Sequence, residues 1–399
     1  MRSSLLTVAA LAATLTASAV HAQSPKRETR AVWIATVSNL DWPSKGASAS
    51  SQMQALSTML DGLKVQGINT VYFQVRTECD ALYRSSMDPW SQFLTGTQGQ
   101  DPGYDPLAYA VDEAHKRGME LHAWLNPYRA DASVNTSRDD IAANHVMKTH
   151  PDWVMNIPRL TTKKVLDPGI PAVRNYVIDV VGEIVTNYDV DGIHFDDYFY
   201  PYPDGSFTGM QQEDINTWRT YGAPAGFSLS VFRQYSVNMM VKGVQTKINA
   251  IRPSVKFGIS PFGIWKSGTP TGTSGMSGAD VIYADAVAWM GQGWLDYLTP
   301  QLYWVFNGNQ DYAKLAPWWY TKMTPTVSTV PMPTTARHFI PGLITTTGQN
   351  KEQIAFDRKE LTLILGLYGR KVADGEWRDY AMEFGRDRAV FSVFRRTSE

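Results

Sequence analysis

"PAVRNYVIDVVGEIVTNYDVDGIHFDDYFYPYP", residues 171–203, decides the fold. It opens as a helix with a proline in its first turn and runs into the short apolar segment "VDGIHF", which reads as a strand. A strand delivered by a helix and apolar on both faces is the building unit of a buried parallel sheet. That strand ends in two adjacent carboxylates, Asp196 and Asp197, where desolvating a charge is costly unless something compensates.

The same alternation extends in both directions. Upstream, "RAVWIATV" (30–37), "INTVYFQVR" (68–76) and "MELHAWLNPYR" (119–129) read as strands, separated by helical segments over 50–67 and 105–118 that stop on Gly67 and Gly118. Downstream, a long helix over 228–253 leads to "VKFGISPFGIW" (255–265), a shorter one over 284–293 to "LDYLTPQLYW" (295–304), and "YAKLAPWWYTKM" (312–323) to "RHFIPGL" (337–343). Residues 351–369 supply a seventh helix, and "RAVFSVF" (388–394) the closing strand. Strands reached through helices pair in parallel by right-handed crossovers, and no Gly-rich phosphate loop follows the first strand. The pattern predicts an α/β fold, a closed (β/α)8 TIM-type barrel forming a single domain over residues 28–399. The Gly/Ser/Thr stretch 266–280 is then a loop on its active face.

Composition narrows the function. With 43% hydrophobic and 19% charged residues and a net charge of −1, the chain offers no field for nucleic acid or an anionic membrane. Its 13 Trp and 19 Tyr suit flat amphipathic surfaces instead. The opening "MRSSLLTVAALAATLTASAVHA" has a cationic start at Arg2, an apolar run and small residues before Ala22, the form of a cleaved secretory leader. Residues 1–22 are expected to be a signal peptide and the protein to be exported, periplasmic or secreted, with no membrane span once the leader is removed. No cysteine follows the run, which argues against a lipid anchor, and the single Cys79 excludes an internal disulfide.

In a barrel, chemistry collects at the C-terminal strand ends, and the predicted strands here end in "QVRTECD", "WLNPYR", "FDDYFYP", "ISPFGIW" and "QLYW". Alternation turns Ile193 and Phe195 toward the helices and His194 and Asp196 toward the axis. The same parity turns Gln74, Arg76, Glu78, His122, Trp124, Asn126, Tyr128, Gln301 and Tyr303 inward. Neighbouring carboxylates raise one another's pKa, so one stays protonated while the other is ionised, the division that cleaving a glycosidic bond requires. Asp196, Asp197 and Glu78 are the candidate catalytic acids, with Asp80 and Asp41 also able to face Asp196. A cap for the following loop is the alternative role of Asp197, and a turn with Gly192 that of Asp191.

Sugars present apolar C–H faces and polar edges, so rings interspersed with polar groups make a glycan cleft. Trp42, Trp124, Tyr128, Tyr198, Tyr200, Tyr202, Trp265, Tyr303 and Trp304 supply the rings. Arg76, Asp80, His122, Asn126, His194 and Gln301 supply the polar contacts. The pair Trp318 and Trp319 lies within a helix and reads as structural.

From "RAVWIATVSNLDWPS" through "DPGYDPLAYAVDEAHKRGMELHAWLNPYR", "YDVDGIHFDDYFYPYP", "VKFGISPFGIW" and "WLDYLTPQLYW" to "YAKLAPWW", the chain resembles the glycosyl-hydrolase-like family 10 proteins over about residues 28–320. The resemblance implies a barrel acting on glycans, with peptide-free peptidoglycan strands the substrate of the cell-division member and division or wall-synthesis proteins as partners. It implies cleft roles for Asp196 and Asp197 in "HFDDYFYP" and for His122, Asn126 and Tyr128 in "HAWLNPYR". "DGIHFD" also looks like the fourth strand of α-amylase-type barrels, where the carboxylate at the position of Asp196 is the nucleophile. Beyond about residue 345 the likeness ends. Two other readings stay open: a non-catalytic glycan-binding barrel, and a metal-dependent hydrolase or deacetylase with His122, His194 and Asp196 as ligands. The paired-His spacing of familiar zinc sites is absent, and no metal or other cofactor is expected.

Overall fold

The computed structural model describes residues 29–132, 141–158, 164–205 and 207–323, and the backbone of 379–384 and 389–394. In chain order the strands are β1 (Ala31–Ile34), β2 (Thr70–Arg76), β3 (Glu120–Leu125), β4 (Arg129–Asp131), β5 (Lys164–Val165), β6 (Gly192–Phe195), β7 (Lys256–Ile259), β8 (Tyr297–Leu298), β9 (Asp379–Phe384) and β10 (Ala389–Phe394). The main helices are α1 (Ala49–Val65), α2 (Pro106–Lys116), α3 (Pro171–Asn187), α4 (Leu229–Ile251), α5 (Ala286–Gly291) and α6 (Tyr312–Met323). Sequence chemistry marks their starts. The Asp105 carboxylate accepts the Ala108 N–H at 3.0 Å with Pro106 in the first turn of α2, and Ser48 and Ser228 cap α1 and α4 in the same way.

One sheet runs in the order β8-β7-β6-β3-β2-β1-β10-β9. Every neighbouring pair from β8 to β10 is parallel, and β10 with β9 is antiparallel. β4 and β5 form a separate antiparallel pair. The two faces of the sheet belong to two different apolar clusters. Val71, Phe73, Val75, Leu121, Ala123, Leu125, Ile193, Phe195, Phe257 and Ile259 pack outward with Leu56 and Leu60 of α1 and Val177, Val180 and Ile184 of α3. Each of these side chains larger than alanine contributes about 1.5–3 kcal/mol. Ala31, Trp33, Tyr72, Trp124 and Tyr297 form the other cluster, on the inner face.

That inner cluster proves the curl. Tyr72 on β2 and Tyr297 on β8 are four strand spacings apart along the sheet, which is roughly 19 Å if the sheet were flat. Their ring centroids are 6.1 Å apart, and Tyr72 also stacks on His194 of β6 at 4.3 Å. The sheet rolls because β6 and β7 carry glycines where its neighbours carry rings. A Cβ on Gly258 would stand 2.0 Å from Tyr297 Cζ, and one on Gly192 would stand 2.4 Å from His122 Nδ1. Small residues opposite large ones fill a tapered interior.

The expected barrel is therefore met in part. Six successive β/α units form a rolled parallel sheet, and residues 389–394 pair with β1 in parallel, Val32 opposite Val393, where the closing strand was expected. Regularity stops there, because the outer neighbour of β10 is the antiparallel β9, so among the described residues the sheet is an open half-barrel. The strand expected at 337–343 and the helix at 351–369 lie outside the described residues. The substitution Gly258→Ala is expected to displace the buried Tyr297 ring and lower the unfolding free energy by about 1–3 kcal/mol, measured by chemical denaturation.

Candidate active site

Parallel pairing brings the C-terminal ends of β1, β2, β3, β6, β7 and β8 to one rim, and Asp196 and Asp197 lie there immediately after β6. Asp196 is 5% exposed. Its Oδ2 accepts the Asn126 Nδ2–H, in a short contact, and the Trp124 indole N–H at 3.4 Å. Its Oδ1 accepts, among the described residues, only the Tyr198 backbone N–H, at 3.4 Å. Burial pushes the Asp196 carboxyl up to about 6, against the opposing pull of the Arg129 charge and these donors. Asp197 is pushed further, to about 7, by burial and by the Asp196 charge beside it, while the Tyr202 hydroxyl and the Gln301 amide hold its carboxylate. Asp197 also ties down the loop that follows, as its alternative role anticipated, because Tyr202 belongs to that loop.

Below the two acids the axis is filled by a directed hydrogen-bond file. The Trp33 indole can only donate, and it points at His194 Nε2 at 3.3 Å, so that nitrogen carries no proton. Burial holds His194 neutral, pushing it well down. Its proton is then on Nδ1 and is donated to the Tyr297 oxygen at 3.0 Å, and the Tyr297 hydroxyl donates to His122 Nδ1 at 2.7 Å. His122 Nε2 faces Glu120, which pairs with Lys256 at the opposite mouth. His194 Nε2 also accepts the Ser260 hydroxyl, just past β7, at 2.9 Å, so every ring nitrogen of the two histidines already has a partner. The metal reading required them beside Asp196, and their ring nitrogens are engaged elsewhere.

Several expected contacts are engaged with partners other than the two acids. Arg76 follows a register shift between Gln74 and Arg76, which reverses its parity. It turns toward α3, pairs with Asp88 at 2.7 Å with both side chains fully buried, and lies 5.3 Å from the Tyr176 ring. Asp80 closes the turn after β2, accepting Thr77 and Glu78 N–H groups at 3.2 and 2.9 Å. Glu78 is buried and accepts from Gln92 Nε2 at 3.0 Å and Ala132 N at 2.7 Å; neither of these contacts joins it to Asp196. Trp42 is core, donating to the Gln52 carbonyl at 2.9 Å and packing on Phe73. Tyr128 is fully buried, and Tyr200 packs against Tyr283, because each lies past the end of its strand where alternation no longer applies. Trp265 stacks on Trp318 and donates to Asp285. Asp191 holds β3 from the far end, accepting the Leu121 N–H at 2.8 Å and pairing with His115. Asp41 accepts the Ala35 N–H at 2.8 Å.

The structure does bring together Asp196, Asp197, Trp124, Asn126, Tyr198 and Gln301. Tyr198 meets Tyr202, Tyr202 meets Phe262, and Phe262 meets Trp304 in successive edge-to-face contacts, with Tyr303 39% exposed beyond. Arg129 was not singled out from the sequence, yet its guanidinium reaches Asn126 Oδ1 at 2.9 Å and lies 5.6 Å from the Tyr198 ring. The available signal was its place as the last residue of "HAWLNPYR".

A carboxyl whose folded pKa is raised binds its proton more tightly when folded, so its stabilising effect is full below the unfolded value near 3.8 and is lost as pH climbs through about 6 to 7. The neutral isostere Asp197→Asn is expected to stabilise the protein by about 1–3 kcal/mol at pH 8 and by almost nothing at pH 4, read from thermal melts across that range.

The sequence model of the family Glycosyl hydrolase-like 10 matches residues 28–341, and that of a family of unknown function, DUF2794, matches residues 354–399. Glycosyl hydrolase YngK of Bacillus subtilis is 42% identical over 306 residues, 75% of this chain and 58% of that protein. Glycosyl hydrolase DigH of Escherichia coli K12 is 41% identical over 326 residues, 76% of this chain and 72% of that protein. This chain thus spans less than two thirds of the Bacillus relative. Among solved structures, the glycoside hydrolase domain of PgaB (BpsB) from Bordetella bronchiseptica aligns with a TM-score of 0.43 at 11% identity, over 69% of this chain and 74% of that one. With the family match running from before β1 to beyond α6, through every strand that contributes to the rim, the chain belongs to the glycosyl hydrolase-like 10 family.

Proposed function

We propose that the protein is an exported glycoside hydrolase that cleaves glycosidic bonds in a bacterial cell-wall glycan, peptide-free peptidoglycan strands being the substrate, with Asp196 and Asp197 as its paired acids. The observation that carries this reading is a pair of adjacent, buried carboxyls at the strand-end rim, each raised into the range where one holds a proton while the other is charged. Asp196 is the ionised member. It faces Asn126, Trp124 and the Arg129 charge, all of which favour the anion, and it acts on the anomeric carbon or on the attacking water. Asp197 is the member that keeps its proton, since its neighbour's charge opposes a second ionisation, and it serves the leaving oxygen. The rings from Tyr198 to Trp304 give the sugar faces a surface to lie on. Export follows from the leader-like residues 1–22, and the wall substrate from the family resemblance.

Asp196→Asn is expected to lower the release of new reducing ends from peptide-free glycan strands by roughly 10²–10⁴-fold while the protein still melts cooperatively and no lower than the wild type. Undiminished release would remove Asp196 from the chemistry. Glycan binding by the wild type without any release would instead favour a binding module. The pH profile should be bell-shaped, rising as Asp196 ionises near 6 and falling as Asp197 loses its proton near 7, the two values belonging to the coupled pair.

A further inference from the structure

We propose that Gln74 is a positioning residue that fixes, through Asn126, which oxygen of Asp196 faces the reacting sugar. The inference rests on the reading of Asp196 given above. The argument is one of hydrogen-bond direction. Gln74 Oε1 accepts two backbone N–H groups, from Thr36 at 2.8 Å and Val37 at 2.9 Å. Backbone N–H groups only donate, so the Gln74 amide has a single orientation. Its Nε2 must then donate, and it does so to Asn126 Oδ1 at 2.7 Å. Arg129 Nη2, also purely a donor, reaches the same oxygen at 2.9 Å. With Oδ1 so engaged, Asn126 has only its Nδ2–H group to offer Asp196 Oδ2. Trp124 adds a second donor there.

Asp196 Oδ2 is thereby surrounded by groups that cannot accept a proton. Any proton the carboxyl carries, and any lone pair it offers to substrate, belongs to Oδ1, whose one hydrogen-bond contact among the described residues is the 3.4 Å approach of the Tyr198 N–H. The chain of command starts in the loop after β1 and ends at the rim after β6, and Gln74 is the link that translates a backbone feature into side-chain polarity. Gln74 is itself 1% exposed and stands on β2 with Trp124 and His194 as inward neighbours along the sheet, so it acts through Asn126.

Gln74→Glu tests the direction. The new carboxylate still accepts the Thr36 and Val37 N–H groups, but its second oxygen, when ionised, confronts Asn126 Oδ1 with an acceptor instead of a donor. Asn126 must either turn over, presenting an oxygen to Asp196, or move away. On peptide-free glycan strands at pH 7, kcat is expected to fall about 100-fold with KM within about threefold, the signature of misplacement rather than lost binding. Once protonated, the introduced carboxyl regains a donor, so the ratio of wild-type to variant rates should shrink as pH is lowered from 7 to 5. The charged groups around that position are Arg129 on Asn126 Oδ1 and Arg76 on the Asn126 carbonyl, which favour the ionised form, and Asp196 and Asp41, which favour the protonated one. A folded Gln74→Glu with wild-type kcat and an unchanged ratio across pH, beside an inactive Asp196→Asn, overturns the role of Gln74 and leaves Asp196 in place. An active Asp196→Asn overturns both. Should Gln74→Glu fail to fold, Gln74→Met takes its place, expected to lose kcat to a similar extent with no recovery at pH 5; wild-type kcat in that variant overturns the proposal.

Discussion

The Tyr297 ring, seated where Gly258 has no side chain and held by its hydroxyl between His194 and His122, is the contact on which the rest depends. It ties β8 to β3 and β6 across the inside of the sheet, which a flat sheet would keep several strands apart. Rolling the sheet does two things at once. It buries a layer of rings on the inner face that would otherwise be exposed, and it draws six strand ends into a rim narrow enough for side chains from β2, β3, β6 and β8 to meet. The neutral state of both histidines follows from the same packing, since a charge on either would stand among rings, with Glu120 at the far mouth the one acid in contact among the described residues.

Four aspartates within residues 189–197 show how position alone sorts one chemical group. Asp189 is exposed and pairs with Arg252, a contact worth little in water. Asp191 ends the approach to β6 and is satisfied by a backbone N–H and His115, so it serves the strand junction. Asp196 and Asp197 have no salt-bridge partner in hydrogen-bonding contact among the described residues and are buried against each other, so their charges are opposed by the environment. Such a pair lowers stability at neutral pH, and a structural role would be met at less cost by Asn or Ser.

Much of the architecture was legible because period and punctuation were clean. Helices α1 to α4 begin on a cap or a proline, and their strands alternate strictly enough that His194, Asp196, Trp124 and Asn126 were turned inward correctly. Legibility failed where the strands stop. Tyr128 and Tyr200 lie beyond β3 and β6, so parity no longer describes them, and a bulge in β2 swung Arg76 to the helical side, where Asp88 and Tyr176 receive it. Trp42 looked like a rim residue from its place after β1, whereas its indole folds back on α1. Alternation turned Gln74 inward and "HAWLNPYR" ends on Arg129, but no local pattern announces what either does, because their roles lie in partners 3 to 52 positions away and in the direction of the bonds they make.

All the groups around the two acids, from Thr36 to Gln301, fall inside the part of the chain that matches the glycosyl hydrolase-like 10 family, residues 28–341. β9 and β10 fall inside the part that matches a different family, residues 354–399. What the sheet asks of that later sequence is geometric rather than chemical. With β2 on one side only, β1 would present an unpaired row of N–H and C=O groups beside the inner ring of Trp33, an edge open to water and to other strands. A parallel neighbour of high β propensity is enough to meet that need, and "AVFSVF" of β10, pairing Val393 with Val32, has the composition to do so. Antiparallel β9 pairs with β10 on its far side, Phe384 opposite Ala389, so among the described residues the parallel run of the sheet ends at β10.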